Sequence, residues 1–190
     1  MGQYYFAVGS LPMLFYGGNT GPDRETFLRI CEENCTKKDY ILLSQASLTP
    51  REEKRTRSTV INGWNAWETA LRNELVLLRG KGKGKDSGKE VRESDAFYTD
   101  VADLAREAYS QDSPFQAEEL LNHARWQRLE ELEAGHHFDM EKLLVYYLKL
   151  QLNERKASFS KETGKEQFSR IYSDVRNQDK RGDKTAGENT

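Results

Sequence analysis

The sequence predicts an all-α fold, an antiparallel helical bundle, and three observations predict it. Apolar residues recur on a 3.6-residue period through most of the chain. Helix-starting and helix-stopping residues bracket those runs. The stretch from Ser113 to Ala157 reads as two long helices joined by a short acidic-aromatic turn, around which the other elements are organised.

At the start of the chain, Gln3 to Val8 is rich in aromatic and apolar residues. The alternation of Tyr4, Phe6 and Val8 suits a short strand, and the same residues suit an opening helix; the window is too short for its period to decide. Gly9 to Gly21 holds four glycines and a proline and reads as loop. Asp23 to Asn34 is predicted helical, with Phe27, Leu28, Ile30 and Cys31 inward. Another helix starts at Thr36-Lys37-Lys38-Asp39, with Asp39 in the first turn where the helix dipole favours a carboxylate, and runs to about Ala46. Thr49-Pro50-Arg51-Glu52 combines a cap, a first-turn proline and a capping-box glutamate. From it the pattern predicts a helix to about Leu78, through Val60, Ile61, Trp64, Trp67, Leu71 and Leu75. Gly63 is a point where this helix can bend, and Trp64, Trp67 and Leu71 share one face.

Arg79 to Arg92 breaks the pattern, with four glycines and six basic residues against two acidic ones, a local net of +4. It lacks the spacing of a phosphate-binding loop and no strand precedes it, so it reads as a flexible solvated linker. Asp95 to Tyr109 is again helical, with Phe97, Val101, Leu104, Ala105 and Ala108 inward. Ser113-Pro114-Phe115-Gln116 is a strong start for the first hairpin helix. Gly135 ends that helix because it takes a left-handed conformation without steric cost. Asp139 caps the second, about Met140 to Lys156, by a single bond, since Lys142 stands where a box partner would be. Apolar residues from Leu143 to Leu152 surround most of this helix, which places it between neighbours. Ser160 can start a last helix with the stripe Phe168, Ile171, Tyr172 and Val175. The polar end, 178–190, reads as a disordered tail. The organisation expected is one helical domain over 1–177, made of an N-terminal lobe 1–79, a linker 80–94 and a hairpin lobe 95–177.

The chain has 190 residues, 32% of them charged, and a net charge of -2, which gives no pull toward nucleic acid or an anionic membrane. No run approaches the ~20 apolar residues that a spanning helix needs. Two cysteines and no basic, apolar leader predict a reducing, cytoplasmic compartment. Met1-Gly2 resembles a myristoylation start, but Phe6 stands where Ser or Thr is wanted.

Candidate chemistry is sparse. Cys31 and Cys35 are one helical turn apart and offer two thiolates, but a structural metal site wants four ligands, so they read as core or semi-buried thiols. His123, His136, His137 and Asp139 are the other metal candidates; adjacent histidines in a turn diverge, and no H-x3-H pattern accompanies them. Glu118, Glu119, Glu130, Glu131 and Glu133 read as a solvated face shared with Arg125 and Arg128. Hydrolase, zincin and dinucleotide signatures are absent. No catalytic residue, metal or cofactor is therefore expected. The residues assigned to a protein interface are Trp64, Arg125, Trp126, His136, His137 and Phe138, with Trp67 assigned to the core.

Several of these stretches fit one family: Met1-Gly2-Gln3-Tyr4-Tyr5-Phe6 with Ser10-Leu11-Pro12, Arg72-Asn73-Glu74-Leu75, and Arg125-Trp126 before Glu130-Glu131-Leu132-Glu133. Gly135-His136-His137-Phe138-Asp139, Tyr147-Leu148-Lys149-Leu150-Gln151 and Glu154-Arg155 fit it too. Together they resemble an uncharacterised bacterial family encoded beside V-type ATPase genes. That family is itself similar to a shortened form of the central-stalk socket of V-type ATPases, the funnel-like helical part that sits on the membrane rotor ring and receives the shaft. The resemblance covers the chain to about Val175. It implies a non-catalytic helical part, peripheral to the membrane, that docks between the central shaft and the rotor ring. The socket has three helical lobes, and this chain is too short for three of usual size.

Overall fold

A computed structural model describes residues 4–18, 20–50, 55–82, 84, 91–92 and 98–159. Of these, 71% are helical and none lies in a strand, about twice the helix content usual in globular proteins. The all-α prediction holds. The helices are α1 (Tyr5–Gly9), α2 (Arg24–Asn34), α3 (Lys37–Gln45), α4 (Thr59–Gly82), α5 (Thr99–Tyr109), α6 (Pro114–Glu133) and α7 (Met140–Ser158).

The opening segment is a helix, not a strand. Val8 N–H donates to Tyr4 C=O at 3.0 Å and Ser10 N–H to Phe6 C=O at 3.0 Å, so the backbone satisfies itself along the chain. Three side-chain caps open helices, at Thr36 and Ser113 where the sequence puts a start, and at Asp23, which the sequence pattern makes the first helical residue. Thr26 N–H donates to Asp23 Oδ1 at 2.7 Å, Asp39 N–H to Thr36 Oγ1 at 3.3 Å, and Gln116 N–H to Ser113 Oγ at 3.1 Å. Gly135 takes φ +85°, the left-handed stop expected of it.

The predicted start of α4 at Thr49-Pro50 is corrected. Residues 55–58 are not helical, and α4 begins at Thr59. Ser58 is the local cap, its Oγ accepting from Ile61 N–H at 3.0 Å. The stronger cap comes from the far end of the sequence. The carboxylate of Glu141 accepts from the Ser58 hydroxyl at 2.6 Å, Val60 N–H at 3.1 Å and Thr59 N–H at 3.3 Å. No local pattern around Thr49 encodes that partner. At its other end α4 continues to Gly82, into the expected linker, while α5 begins at Thr99 instead of Asp95. The rest of the linker reading, the helix from Ser160 and the tail 178–190 lie outside the described residues.

The chain divides into two compact units, Met1–Glu154 and Arg155–Thr190. In the first, α4 packs on α5 and α6, α5 on α6, α2 on α3, and α1 on α2. The expected N-terminal lobe and the part of the expected hairpin lobe up to Glu154 lie in the first unit, and the boundary falls inside α7, just after its last buried residue, Leu152. Gly63 lies within unbroken α4, where a Cβ would stand 2.9 Å from Leu132 Cδ2; the glycine marks a close approach of α4 to α6.

Up to Glu154, α7 is the axis of the first unit. Leu143, Leu144, Val145, Leu148 and Leu152 are fully buried. Phe27 of α2 stacks on Tyr146 and Tyr147, with centroids 5.4 and 5.3 Å apart. Gln151 binds both sides of the segment after α3, donating to Ala46 C=O at 3.0 Å and accepting from Leu48 N–H at 3.3 Å. Asn153 holds the early loop through Gly17 N–H at 2.9 Å and Phe15 C=O at 3.0 Å.

Candidate functional site

The interface residues expected from sequence divide into an internal and an external set. Trp64 is fully buried beside Trp67, with ring centroids 6.0 Å apart, so it serves the core and offers no surface. Arg125 is also internal. Its Nε and Nη2 donate to the two oxygens of Glu68 at 3.0 and 3.1 Å, and its Nη1 reaches Glu118 and Asn122 at 3.1 Å each. Glu68 is fully buried and also receives Arg72 Nε at 2.8 Å. This is a two-pronged, nearly solvent-free ion pair across α4 and α6. Burial alone would lower the Arg125 pKa; the carboxylates of Glu68 and Glu118 reverse that and hold it above its ordinary value. Trp126 is buried too, its indole N–H donating to Glu130 Oε1 at 2.8 Å.

The external set is the turn between α6 and α7. His137 and Phe138 are exposed, while His136 is half-buried, its Nδ1 lying 2.7 Å from Asp139 Oδ2. Asp139 caps α7 with its other oxygen, which accepts Lys142 N–H at 3.0 Å. Burial would raise the Asp139 pKa, but its bonds to His136 and to that amide leave it below the usual value. The turn is tied to the start of the chain, because Tyr4 N–H donates to Phe138 C=O at 2.6 Å and the rings of Tyr5 and Phe138 meet at 4.8 Å. Tyr5, Phe6 and Phe138 are all largely exposed. The hairpin tip is thus an aromatic surface built from the start of the chain and the turn between α6 and α7.

Beside it runs a groove of about 450 Å³. Val8, Leu11, Leu14, Leu143 and Tyr146 line its apolar side, with Met13 and Phe15 exposed at the rim. Its polar side is Glu130, Glu133, Lys142 and Lys149. Glu133 accepts from both lysines, and Lys149 Nζ also lies 5.0 Å from the centre of the Trp126 ring. Burial would raise the Glu133 pKa; the two ammonium groups outweigh that and hold it below the ordinary carboxylate value. Tyr146 donates to Pro12 C=O at 3.0 Å, and burial pushes its pKa up to about 12. Along this side Glu133 of α6 is joined to Lys142 and Lys149 of α7 by side-chain ion pairs.

Neither this groove nor the role of Glu141 follows from the sequence pattern. Glu133 reads there as one of a solvated run, although Lys142 and Lys149 of the facing helix balance it. A signal for Glu68 is present: it lies four residues after Trp64 and three before Leu71, on the apolar face of α4. The metal candidates are also separated in space. His123 is exposed against the edge of Tyr16, with centroids 5.4 Å apart, and does not join His136 or His137. Among the described residues no group of three or more His, Cys, Asp or Glu side chains is placed to hold a metal ion. None of their helices is long and apolar enough to cross a membrane.

Residues 94–178 match the model of a family described as "Protein of unknown function (DUF2764)". The match takes in α5, α6 and α7 and is less than half of the chain. No curated protein and no solved structure matches.

Proposed function

We propose that this chain is a non-catalytic subunit or accessory of a V-type ATPase, peripheral to the membrane, docking between the central shaft and the rotor ring in the cytoplasm. The resemblance of Met1–Phe6, Arg125–Glu133 and Gly135–Asp139 to the family encoded with that ATPase motivates the reading. The observation that carries it is the hairpin tip. Two of those three stretches converge there, joined by the Tyr4–Phe138 backbone bond and the Tyr5–Phe138 ring contact. An exposed aromatic surface on rigid helices is what a docking part needs and what a stand-alone globule rarely maintains.

The test mixes purified chain with purified shaft and ring proteins of the ATPase from the same organism. Stable co-elution, lost in Phe138→Ala, is the expected result. Failure of the chain to bind either one overturns the reading. A second reading, a free-standing helical adaptor, rests on the same exposed rings. It is favoured if Phe138→Ala abolishes binding to a partner outside the ATPase while the fold stays intact. Trp126→Ala is a poor probe for either case, because that ring is buried within the chain itself.

A further inference from the structure

Cys31 lies in the last turn of α2 and Cys35 is the residue that ends it. Cys35 N–H donates to Cys31 C=O at 2.8 Å, so the two residues are held one turn apart. Cys35 then leaves the helix in an extended conformation, φ -105° and ψ 160°. The one-turn spacing places the two thiols as near neighbours at the end of α2. Their exposure differs: Cys31 of α2 is fully buried, whereas Cys35 is half-buried and partly open to solvent. An accessible sulfur backed by an enclosed one is the arrangement of an attacking and a resolving thiol.

We propose that Cys31 and Cys35 form a redox-active dithiol that exchanges with low-molecular-weight disulfides such as oxidised glutathione. The Cys35 thiol loses its proton to solvent, and the thiolate attacks one sulfur of the disulfide. The S–S bond breaks, one glutathione leaves as thiolate and takes up a proton, and a mixed disulfide remains on Cys35. The Cys31 sulfur then attacks the Cys35 sulfur of that mixed disulfide. The second glutathione leaves and takes the Cys31 proton. The balance is two protein thiols oxidised to one disulfide and one glutathione disulfide reduced to two thiols.

The charge environment agrees with these roles. The neighbouring Cys31 thiol favours the Cys35 thiolate and brings its pKa below the ordinary thiol value, against burial and the nearby Asp39 carboxylate, which oppose it. The neighbouring Cys35 sulfur, followed by burial, pushes Cys31 up. Closing the disulfide acts on the joint between α2 and α3. The next residue, Thr36, caps α3, and its N–H also reaches the Tyr4 hydroxyl at 3.4 Å.

The native full-length chain is incubated with oxidised glutathione, quenched with an alkylating agent and weighed by mass spectrometry. The expected wild-type product carries no glutathione and no alkyl group. Cys31→Ala should stall with one glutathione attached. Cys35→Ala should react at least roughly tenfold more slowly, since its remaining thiol is enclosed. Wild type in which both thiols stay open to alkylation, or which stalls with glutathione attached, overturns the proposal. So does a Cys35→Ala chain that reacts as fast as wild type while circular dichroism shows it folded.

Discussion

At the scale of single residues, the buried polar groups decide most. Glu141 illustrates how a carboxylate can be part of a helix it does not belong to. It is nearly enclosed and receives the Ser58 hydroxyl and two amides at the head of α4. Glu141→Ala strips three donors of their acceptor in a dry place. The expected loss is about 2–3 kcal/mol of unfolding free energy, read as a lower urea midpoint. Arg125 makes a similar case with a sharper control. Arg125→Ala leaves the fully buried Glu68 carboxylate held mainly by Arg72, and should cost about 3–5 kcal/mol. Replacing the pair together, Glu68→Leu with Arg125→Met, should recover most of that loss, because the cost lies in the stranded charge. Urea denaturation of the single and double variants checks both statements. Single residues are also where sequence is least informative. The preference of tryptophan for interfaces assigns Trp64 and Trp126 to one, but their helical register alone cannot say which of two apolar faces a neighbour covers. His137 and Phe138 are exposed in the turn, although the start of the chain packs beside them.

At the scale of elements, the helices are readable wherever their caps are local. Asp23, Thr36, Ser113 and Asp139 each lie three residues before the amide they receive, and the starts at Thr36, Ser113 and Asp139 are evident from sequence. The start of α4 is not, because its acceptor, Glu141, is more than eighty positions away in the chain. The contact between α6 and α7 lies at the same limit. Their antiparallel course follows from the short turn, but the pairing of Glu133 with Lys142 and Lys149 depends on their rotation about their axes. That pairing predicts a pH dependence. The Glu133 pKa is held below its unfolded value near 4.5, so its contribution to stability is complete above that pH and fades as pH falls through the folded value. Between neutral pH and about 5, Glu133→Gln should be less stable than wild type. The gap should narrow as the pH drops through about 4 and below. Chemical-denaturation midpoints measured across that range test it, and a gap that stays constant would show that the lysines do not stabilise the charged form.

At the scale of the whole molecule, the all-α class is the most legible property, because it needs only periodicity, caps and the absence of strand-forming runs. The arrangement of parts is less so. Sequence suggests two lobes within one domain, and it does not say that α4 of the first packs against both α5 and α6 of the second. Sequence gives the stripes of each helix but not the order in which stripes meet. The aromatic tip and its neighbouring groove share this origin: each combines α1 or its following loop with the far hairpin, segments more than a hundred residues apart.

The axial position of α7 has a practical corollary for anyone who wishes to dissect the gene. Its walls come from Phe27, Ala46, Leu48, Ser58 and the loop around Pro12, all encoded upstream of the segment that the family match covers. A fragment beginning at residue 94 would therefore bare a belt of leucine and tyrosine to water. Expressed by itself, it should partition into inclusion bodies or bind a hydrophobic dye strongly. Supplying residues 1–93 in trans should restore solubility; if the fragment stays monodisperse alone, the upstream helices are ornament and not scaffold.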